Sequence, residues 1–164
     1  MPHVALQPPT RPERFSTLVS RRSMAPLEQQ VARALREASG WLGPRAEPAP
    51  VGMTRYQTDL RLRISDRPTL TTFGKAAFVD LGPIEQLDDG WQVEISWRAA
   101  TLAPLFPVFS GTLSMRDQQV TLAGWYAPPG GELGFLADRA ILRVAARATG
   151  RWLLGELERA ALRG

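Results

Sequence analysis

The stretch TRYQTDLRLRI, residues 54–64, alternates in hydropathy at every step. Tyr56 and Thr58 begin one face, which continues through every second residue to Ile64, and polar side chains occupy the positions between them. This period of two predicts a β-strand with one buried face and one wet face, which is typical of an antiparallel sheet. Arg55 and the alternate residues that follow it are expected on the solvent face.

Four further strands are predicted downstream, each bounded by a turn signal. Leu70–Leu81 is nearly apolar on both faces. In Trp91–Arg98, which follows an Asp-Gly hairpin signal, large apolar residues alternate with polar ones. Phe106–Met115 and Gln119–Tyr126 form a pair across a tight turn. Consecutive strands joined by short turns predict an antiparallel meander.

Elements of other kinds flank the meander. Residues 14–22 alternate weakly and predict a first strand. A helix is expected to begin near Pro26 with Ser23 as its N-cap, and a short helical turn is expected at Ala38–Leu42. After the Pro-Pro-Gly-Gly run at 128–131 the apolar period changes to that of a helix, which we expect to continue as one long amphipathic helix.

The composition is that of one folded domain. A chain of 164 residues with 44% hydrophobic and 22% charged residues is long enough for a single core. We expect residues 1–13, which contain four prolines and few large apolar groups, to form a flexible arm, and residues 14–164 to form the domain.

Several classes of chemistry are excluded by residue type. The chain has no cysteine, and His3 is its one histidine, which excludes disulfides, Cys/His zinc sites, thiol nucleophiles and Ser-His-Asp triads. We therefore expect no metal, no cofactor and no catalytic residue. No apolar run approaches the roughly 20 residues that cross a bilayer, and the start lacks the order of a signal peptide, so a cytoplasmic protein is expected.

Two segments carry a resemblance to a known superfamily. They are LFPVFSGTL, residues 105–113, and GWYAPPGG, residues 124–131, and the sequence continues through Leu133-Gly134 and Asp138-Arg139 into the last helix. In these segments and in the order of its elements, the chain resembles the SRPBCC superfamily, which comprises START-like, Bet v 1-like and polyketide-cyclase-like proteins.

This resemblance covers about residues 14–162 and implies an α+β helix-grip fold. In that fold a curved antiparallel sheet wraps around a long C-terminal helix, with a cavity between them. The chain departs from the pattern in two ways: it shows five strands after the first helix where the superfamily usually has six, and its second short helix is reduced to Ala38–Leu42. Either a short strand lies near Ala46–Met53 or the cavity mouth is trimmed.

In such a fold the inward residues of the sheet and the C-terminal helix would line the cavity. The arc of the helix assigned inward alternates large and small side chains, which leaves volume for a ligand unless the sheet side chains fill it. The candidate ligand-binding residues are Tyr56, Thr58, Trp97, Phe109, Leu113, Tyr126, Ile141, Val144, Ala145, Ala148 and Trp152. Asp80 and Lys75 lie in the strand that is apolar on both faces, so each can point inward or to the wet side.

A row of arginines marks the opposite side of that helix. Arg139, Arg143, Arg147 and Arg151 recur at intervals of four residues. The row is either a solvated face or a docking surface for an acidic partner, an anionic lipid or a nucleic acid. Nucleic acid is not favoured, because the sequence has no helix-turn-helix, no RNP-like aromatic motif and no zinc module.

Three functions stay open from the sequence. The first is binding or carriage of a hydrophobic small molecule or lipid in the cavity. The second is a polyketide cyclase or aromatase-like enzyme that uses the same cavity. The third is an electrostatic interaction module that uses the arginine row. The sequence does not define the ligand or the oligomeric state.

Overall fold

The strands pair in one curved antiparallel sheet. The computed structural model describes residues 16–63, 72–100, 108–127 and 139–164. The strands are β1 (Ser16–Ser23), β2 (Arg45–Ala46), β3 (Thr54–Arg63), β4 (Thr72–Leu81), β5 (Glu85–Leu87), β6 (Gly90–Ala99), β7 (Val108–Arg116) and β8 (Gln119–Ala127). The helices are α1 (Glu28–Arg36) and α2 (Arg139–Arg163), with a 3₁₀ turn at Ala38–Gly40. The sheet order is β1-β8-β7-β6-β4-β3-β2, and β5 pairs with β6.

The expected meander is confirmed. Its five strands are β3, β4, β6, β7 and β8, which are successive neighbours in the sheet. Along β6 the alternate residues from Trp91 to Trp97 are buried, as their spacing predicts. The predicted strand starts at Leu70 and Phe106 and the arm at residues 1–13 lie outside the described residues.

Two short strands add to the predicted set. β2 pairs with β3 through Arg45↔Tyr56 and Ala46↔Arg55, so the alternative of a short strand near Ala46 is the one that holds. β5 forms a hairpin with β6. With two and three residues, these strands are too short to show an alternating pattern.

The predicted cap of α1 is wrong. Ser23 is the last residue of β1 and pairs with Gln119, so it is not available to cap a helix. Leu27 is the N-cap instead, and its backbone N–H donates to the Gln30 side-chain oxygen at 2.8 Å. Gln118 holds the turn before the helix by donating to the Pro26 carbonyl oxygen at 3.0 Å.

The predicted exposure of Arg55 is also wrong. Arg55 and Asp80 are cross-strand partners on the outer face of the sheet, and they are 6% and 4% exposed. Arg55 Nε and Nη2 donate to the two carboxylate oxygens of Asp80 at 2.7 and 2.9 Å, and Nη1 donates to the Pro48 carbonyl oxygen at 2.6 Å. The hydrogen bond to Asp80 raises the pKa of Arg55. The pair can bury charge because each guanidinium nitrogen donates to an acceptor, which alternation of hydropathy does not reveal.

α2 lies against the inner face of the sheet and contacts β1, β3, β8 and α1. Its close approach is at Gly150, where an added Cβ would lie 3.3 Å from Leu122, 3.4 Å from Ser20 and 3.6 Å from Leu18. The absence of a side chain at Gly150 therefore lets the helix backbone approach β1 and β8. Leu153 and Leu157 continue the buried face of the helix.

Glu158 joins α2 to the connection between β1 and α1. Its carboxylate accepts a hydrogen bond from Arg22 Nε at 2.5 Å and another from the backbone N–H of Ala25 at 3.2 Å. Burial alone would raise the pKa of Glu158, but the bonds from Ala25 and Arg22 outweigh it and the pKa is lowered. The charged form of Glu158 therefore stabilises the folded chain.

We predict that Glu158→Gln lowers the free energy of unfolding at pH 7 by about 1–2 kcal/mol, because a charge-assisted pair becomes a weaker neutral one. Since the folded pKa is lowered, the stabilisation is present above the unfolded value of 4.5 and is lost as the pH falls through the folded value. Urea unfolding across this pH range measures the effect. A gap between wild type and variant that stays constant or widens below pH 4.5 contradicts the assignment.

Candidate ligand-binding site

A cross-strand row of large side chains runs across the inner face of the sheet. The register joins Tyr56 to Val79, Val79 to Trp97, Trp97 to Phe109 and Phe109 to Tyr126. All five residues are buried. Trp97 and Phe109 stack with ring centroids 4.0 Å apart and planes inclined by 16°. We call this set, which crosses from β3 to β8, the aromatic row.

A pair of glycines supports the row on one side. Gly111 and Gly124 are direct cross-strand partners between β7 and β8. A Cβ at either position would lie 2.8 Å from Phe109 Cζ and would also collide with the backbone of the other strand. The Phe109 ring therefore lies over the two glycines, which fixes where the aromatic surface sits above the sheet.

Small residues lie on the other side of the row. Thr58, Ala77 and Ala99 form the next cross-strand set on β3, β4 and β6. Thr58 and Ala77 are buried, and Ala99 packs against the core. On α2 the buried residues Ala145, Ala146 and Thr149 are also small.

The indole N–H of Trp97 is buried in the row without a partner. Trp97 is 2% exposed, and its Nε1–H makes no hydrogen bond to the part of the chain that the structure describes. By contrast, the Thr149 hydroxyl donates to the Ala145 carbonyl oxygen at 2.8 Å. A buried donor without an acceptor costs about 1–3 kcal/mol, so such groups are rare in folded proteins. Trp91 Nε1 is also unpartnered, but it lies six residues away along β6, about 20 Å from Trp97.

The sheet residues proposed from the sequence fall into two groups. Tyr56, Trp97, Phe109 and Tyr126 belong to the aromatic row, and Thr58 lies in the next cross-strand set. The buried side chain of Leu113 is farther along the sheet, between Val93 and Leu122, where α2 packs most closely. Missing from the sequence proposal were Gly111 and Gly124, although glycine inside a strand is itself a signal of close approach.

The candidate residues on α2 agree with the sequence prediction less well than the candidate residues on the sheet. Ala145 is buried, and Ala148 and Trp152 are half-buried against the core. Val144 is 43% exposed and faces solvent, because the buried arc of α2 passes through Ala146, Leu153 and Leu157 instead. The side chain of Ile141 lies outside the described residues.

The charged residues that the described part of the chain buries are Arg55 and Asp80, and both lie on the outer face. Asp80 is therefore not an inward group, and the side chain of Lys75 is outside the described residues. Within the described ranges no three His, Cys, Asp or Glu side chains cluster in a way that could hold a metal ion. No described helix is long and apolar enough to cross a membrane.

A curved antiparallel sheet that holds a long C-terminal helix against its inner face is the helix-grip arrangement, an α+β architecture. No family model and no curated protein matches the chain. Among solved structures it is similar to the di-domain ARO/CYC BexL from the BE-7585A biosynthetic pathway, with a TM-score of 0.60 and 15% identity over 92% of this chain and 51% of that one.

It is also similar to the di-domain ARO/CYC StfQ from the steffimycin biosynthetic pathway. That comparison has a TM-score of 0.50 and 13% identity, and covers 92% of this chain and 49% of the other. The chain thus spans about half the length of each of these two di-domain structures. At these identities the likeness shows the fold alone, a helix-grip fold.

We predict that Gly124→Ala lowers the free energy of unfolding by about 2–3 kcal/mol, because the new methyl group forces Phe109 and the β7 backbone to move. Chemical denaturation measures the loss, and near-UV circular dichroism reports the disturbed Trp97–Phe109 stack. Gly40→Ala is the matched control, since nothing lies within 4 Å of a Cβ there. Equal stability of the two variants contradicts the proposed packing of Phe109.

Proposed function

We propose that the chain is a helix-grip protein of the SRPBCC superfamily that binds or carries a hydrophobic small molecule or lipid between the aromatic row and α2. The observation that carries the proposal is the buried, unpartnered Nε1–H of Trp97. A mostly apolar site with a few fixed donors is the usual form of a small-molecule pocket.

The shape of the inner face supports the proposal. The rings of Trp97 and Phe109 form one continuous apolar surface because they are stacked. Beside them, the small side chains of Thr58 and Ala77 project little from the sheet, and the proposed ligand would lie over them. Removing apolar ligand surface from water contributes about 25 cal/mol per Å², so contact with this surface can drive binding without any charged group.

The unpartnered donor supports a ligand with an acceptor. If the bound molecule has an oxygen near Trp97, the indole N–H gains a hydrogen bond that no described residue provides. The ligand we propose is therefore apolar in body and has at least one carbonyl or hydroxyl oxygen. The charged groups buried in the described part of the chain lie on the outer face, which favours a neutral ligand.

A matched pair of ligands and a matched pair of variants test this proposal. We predict that the protein binds a long-chain methyl ketone about tenfold more tightly than the hydrocarbon of equal length, because the ketone oxygen accepts the Trp97 hydrogen bond. In Trp97→Phe this preference disappears. In Trp91→Phe, which also removes a buried unpartnered indole, the preference stays.

Native mass spectrometry measures uptake of each ligand and shows whether the purified protein already holds a molecule that leaves on denaturation. Equal effects of the two tryptophan variants contradict the placement of the site. Failure of the wild type to take up either ligand contradicts the proposed function.

A cyclase or aromatase-like activity at the same site is the second candidate. Tyr56 and Tyr126 stand at the two ends of the aromatic row, and neither hydroxyl hydrogen-bonds to a described residue. The BexL and StfQ structures are described as ARO/CYC proteins, and this is why we consider the activity for the chain. A tyrosine hydroxyl can act as an acid or a hydrogen-bond donor towards a substrate carbonyl.

For that candidate we predict that Tyr126→Phe lowers the rate of cyclisation of a poly-ketone substrate about a hundredfold, because it removes the hydroxyl and almost no volume. Binding of the substrate changes little, since the ring remains. The measurement compares product formation with affinity in wild type and variant. Unchanged turnover excludes a catalytic role for Tyr126, and a parallel loss of affinity would instead make Tyr126 a binding residue.

A further inference from the structure

The outer side of α2 carries three exposed arginines, Arg143, Arg147 and Arg151. Within the described part of the chain none of them has an ion pair or a hydrogen bond. Successive members are four residues apart, so their Cα atoms rise about 6 Å per step along the helix and the row is about 12 Å long. We call this set the arginine row.

The carboxylates of α2 do not neutralise this row. Glu158 pairs with Arg22 and with the Ala25 backbone on the side where α2 meets the β1–α1 connection. Glu156 pairs with Arg159. Like charges at four-residue spacing disfavour the helix, so the row is a local cost that the described contacts of the fold do not relieve.

A glycine follows the arginine row, and no contact within the described chain requires a glycine at that position. Gly155 follows Arg151 by four residues, inside a helix where glycine is less favourable than alanine. A Cβ at Gly155 would meet only Arg159 Nη2, at 3.9 Å. The close approach of the sheet accounts for a glycine at position 150, but no residue of the described chain accounts for a glycine at position 155. Such a position is suited to the close approach of another backbone from outside.

We propose that this face of α2, formed by the arginine row and Gly155, docks an acidic helix of a partner protein. A helix with carboxylates four residues apart has the same spacing as the arginine row, so each guanidinium can meet one carboxylate. Gly155 lets the two helices lie close together, and the exposed side chain of Val144 supplies an apolar contact beside the charges. The proposal does not depend on the ligand site.

Charge and shape argue against the other occupants. A second copy of the chain related by a two-fold axis through this face would place one arginine row against another. A membrane surface would gain from large exposed apolar side chains, whereas the row ends at a glycine that offers almost no apolar area. A narrow line of three positive charges followed by a glycine is better complemented by a helix than by a flat membrane surface.

The test uses a fluorescein-labelled, alanine-rich helical peptide with glutamates at three positions spaced by four. We expect fluorescence anisotropy to show binding at low salt. Arg147→Glu weakens it about tenfold or more because one favourable pair becomes a repulsive one. Arg45→Glu makes the same change of charge on the exposed face of β2 and leaves binding unchanged.

The variant Gly155→Leu tests whether the two helices approach closely, and it leaves the charges of the arginine row unchanged. The open space around Gly155 accepts the side chain and leucine favours the helix, so the Tm stays the same or rises. Peptide binding nevertheless falls because the backbones can no longer approach. A peptide of the same composition with adjacent glutamates should bind more weakly than the spaced peptide.

Four results overturn the proposal. These are no binding of the spaced peptide, equal binding of the peptide with adjacent glutamates, equal loss in Arg45→Glu, and tighter association with vesicles of phosphatidylserine than with the peptide. The last result would assign the face to a membrane surface instead.

Discussion

The register between β4, β6, β7 and β8 is the constraint on which the site depends. In an antiparallel sheet a slip of one residue moves every side chain of a strand to the other face. The observed register places Val79, Trp97, Phe109 and Tyr126 opposite one another on the inner face. The same register places Arg55 opposite Asp80 on the outer face, so the buried ion pair and the aromatic row require the same alignment of β3 and β4.

Glycines then decide how the layers meet. Gly111 and Gly124 let Phe109 lie close to the sheet, and Gly150 lets α2 approach β1 and β8. These contacts fix the aromatic surface on one layer and the helix on the other. Thr58 and Ala145, which the proposed site uses, are small and buried.

Much of the architecture could be predicted from the sequence, because strands with one buried face have a clear period. The inward direction of Tyr56, Trp97, Phe109 and Tyr126 follows from that period alone. Their alignment in one row does not follow from it, since register depends on the lengths of the turns and on pairing between strands. β5 was missed and β2 was predicted as one of two alternatives only, because two or three residues cannot show a period.

The buried face of α2 and the burial of Arg55 could not be predicted from the sequence, for a different reason. The arc of α2 assigned inward from its large and small residues included Val144, but the helix is rotated so that Ala146 and Leu153 face the sheet. Several arcs of this helix are apolar, and packing at Gly150 chooses among them. Arg55 was predicted to face solvent because the local sequence pattern gives no sign of its partner Asp80, which is 25 residues away along the chain.

The proposed function requires that the inner face between Trp97, Thr58 and Ala145 holds an apolar ligand and is not a filled core. Diffraction from a crystal pressurised with xenon tests this most directly, since xenon enters apolar cavities and cannot enter a close-packed interior. We expect xenon bound beside the stacked rings of Trp97 and Phe109. An interior with no xenon between the aromatic row and α2 would contradict it.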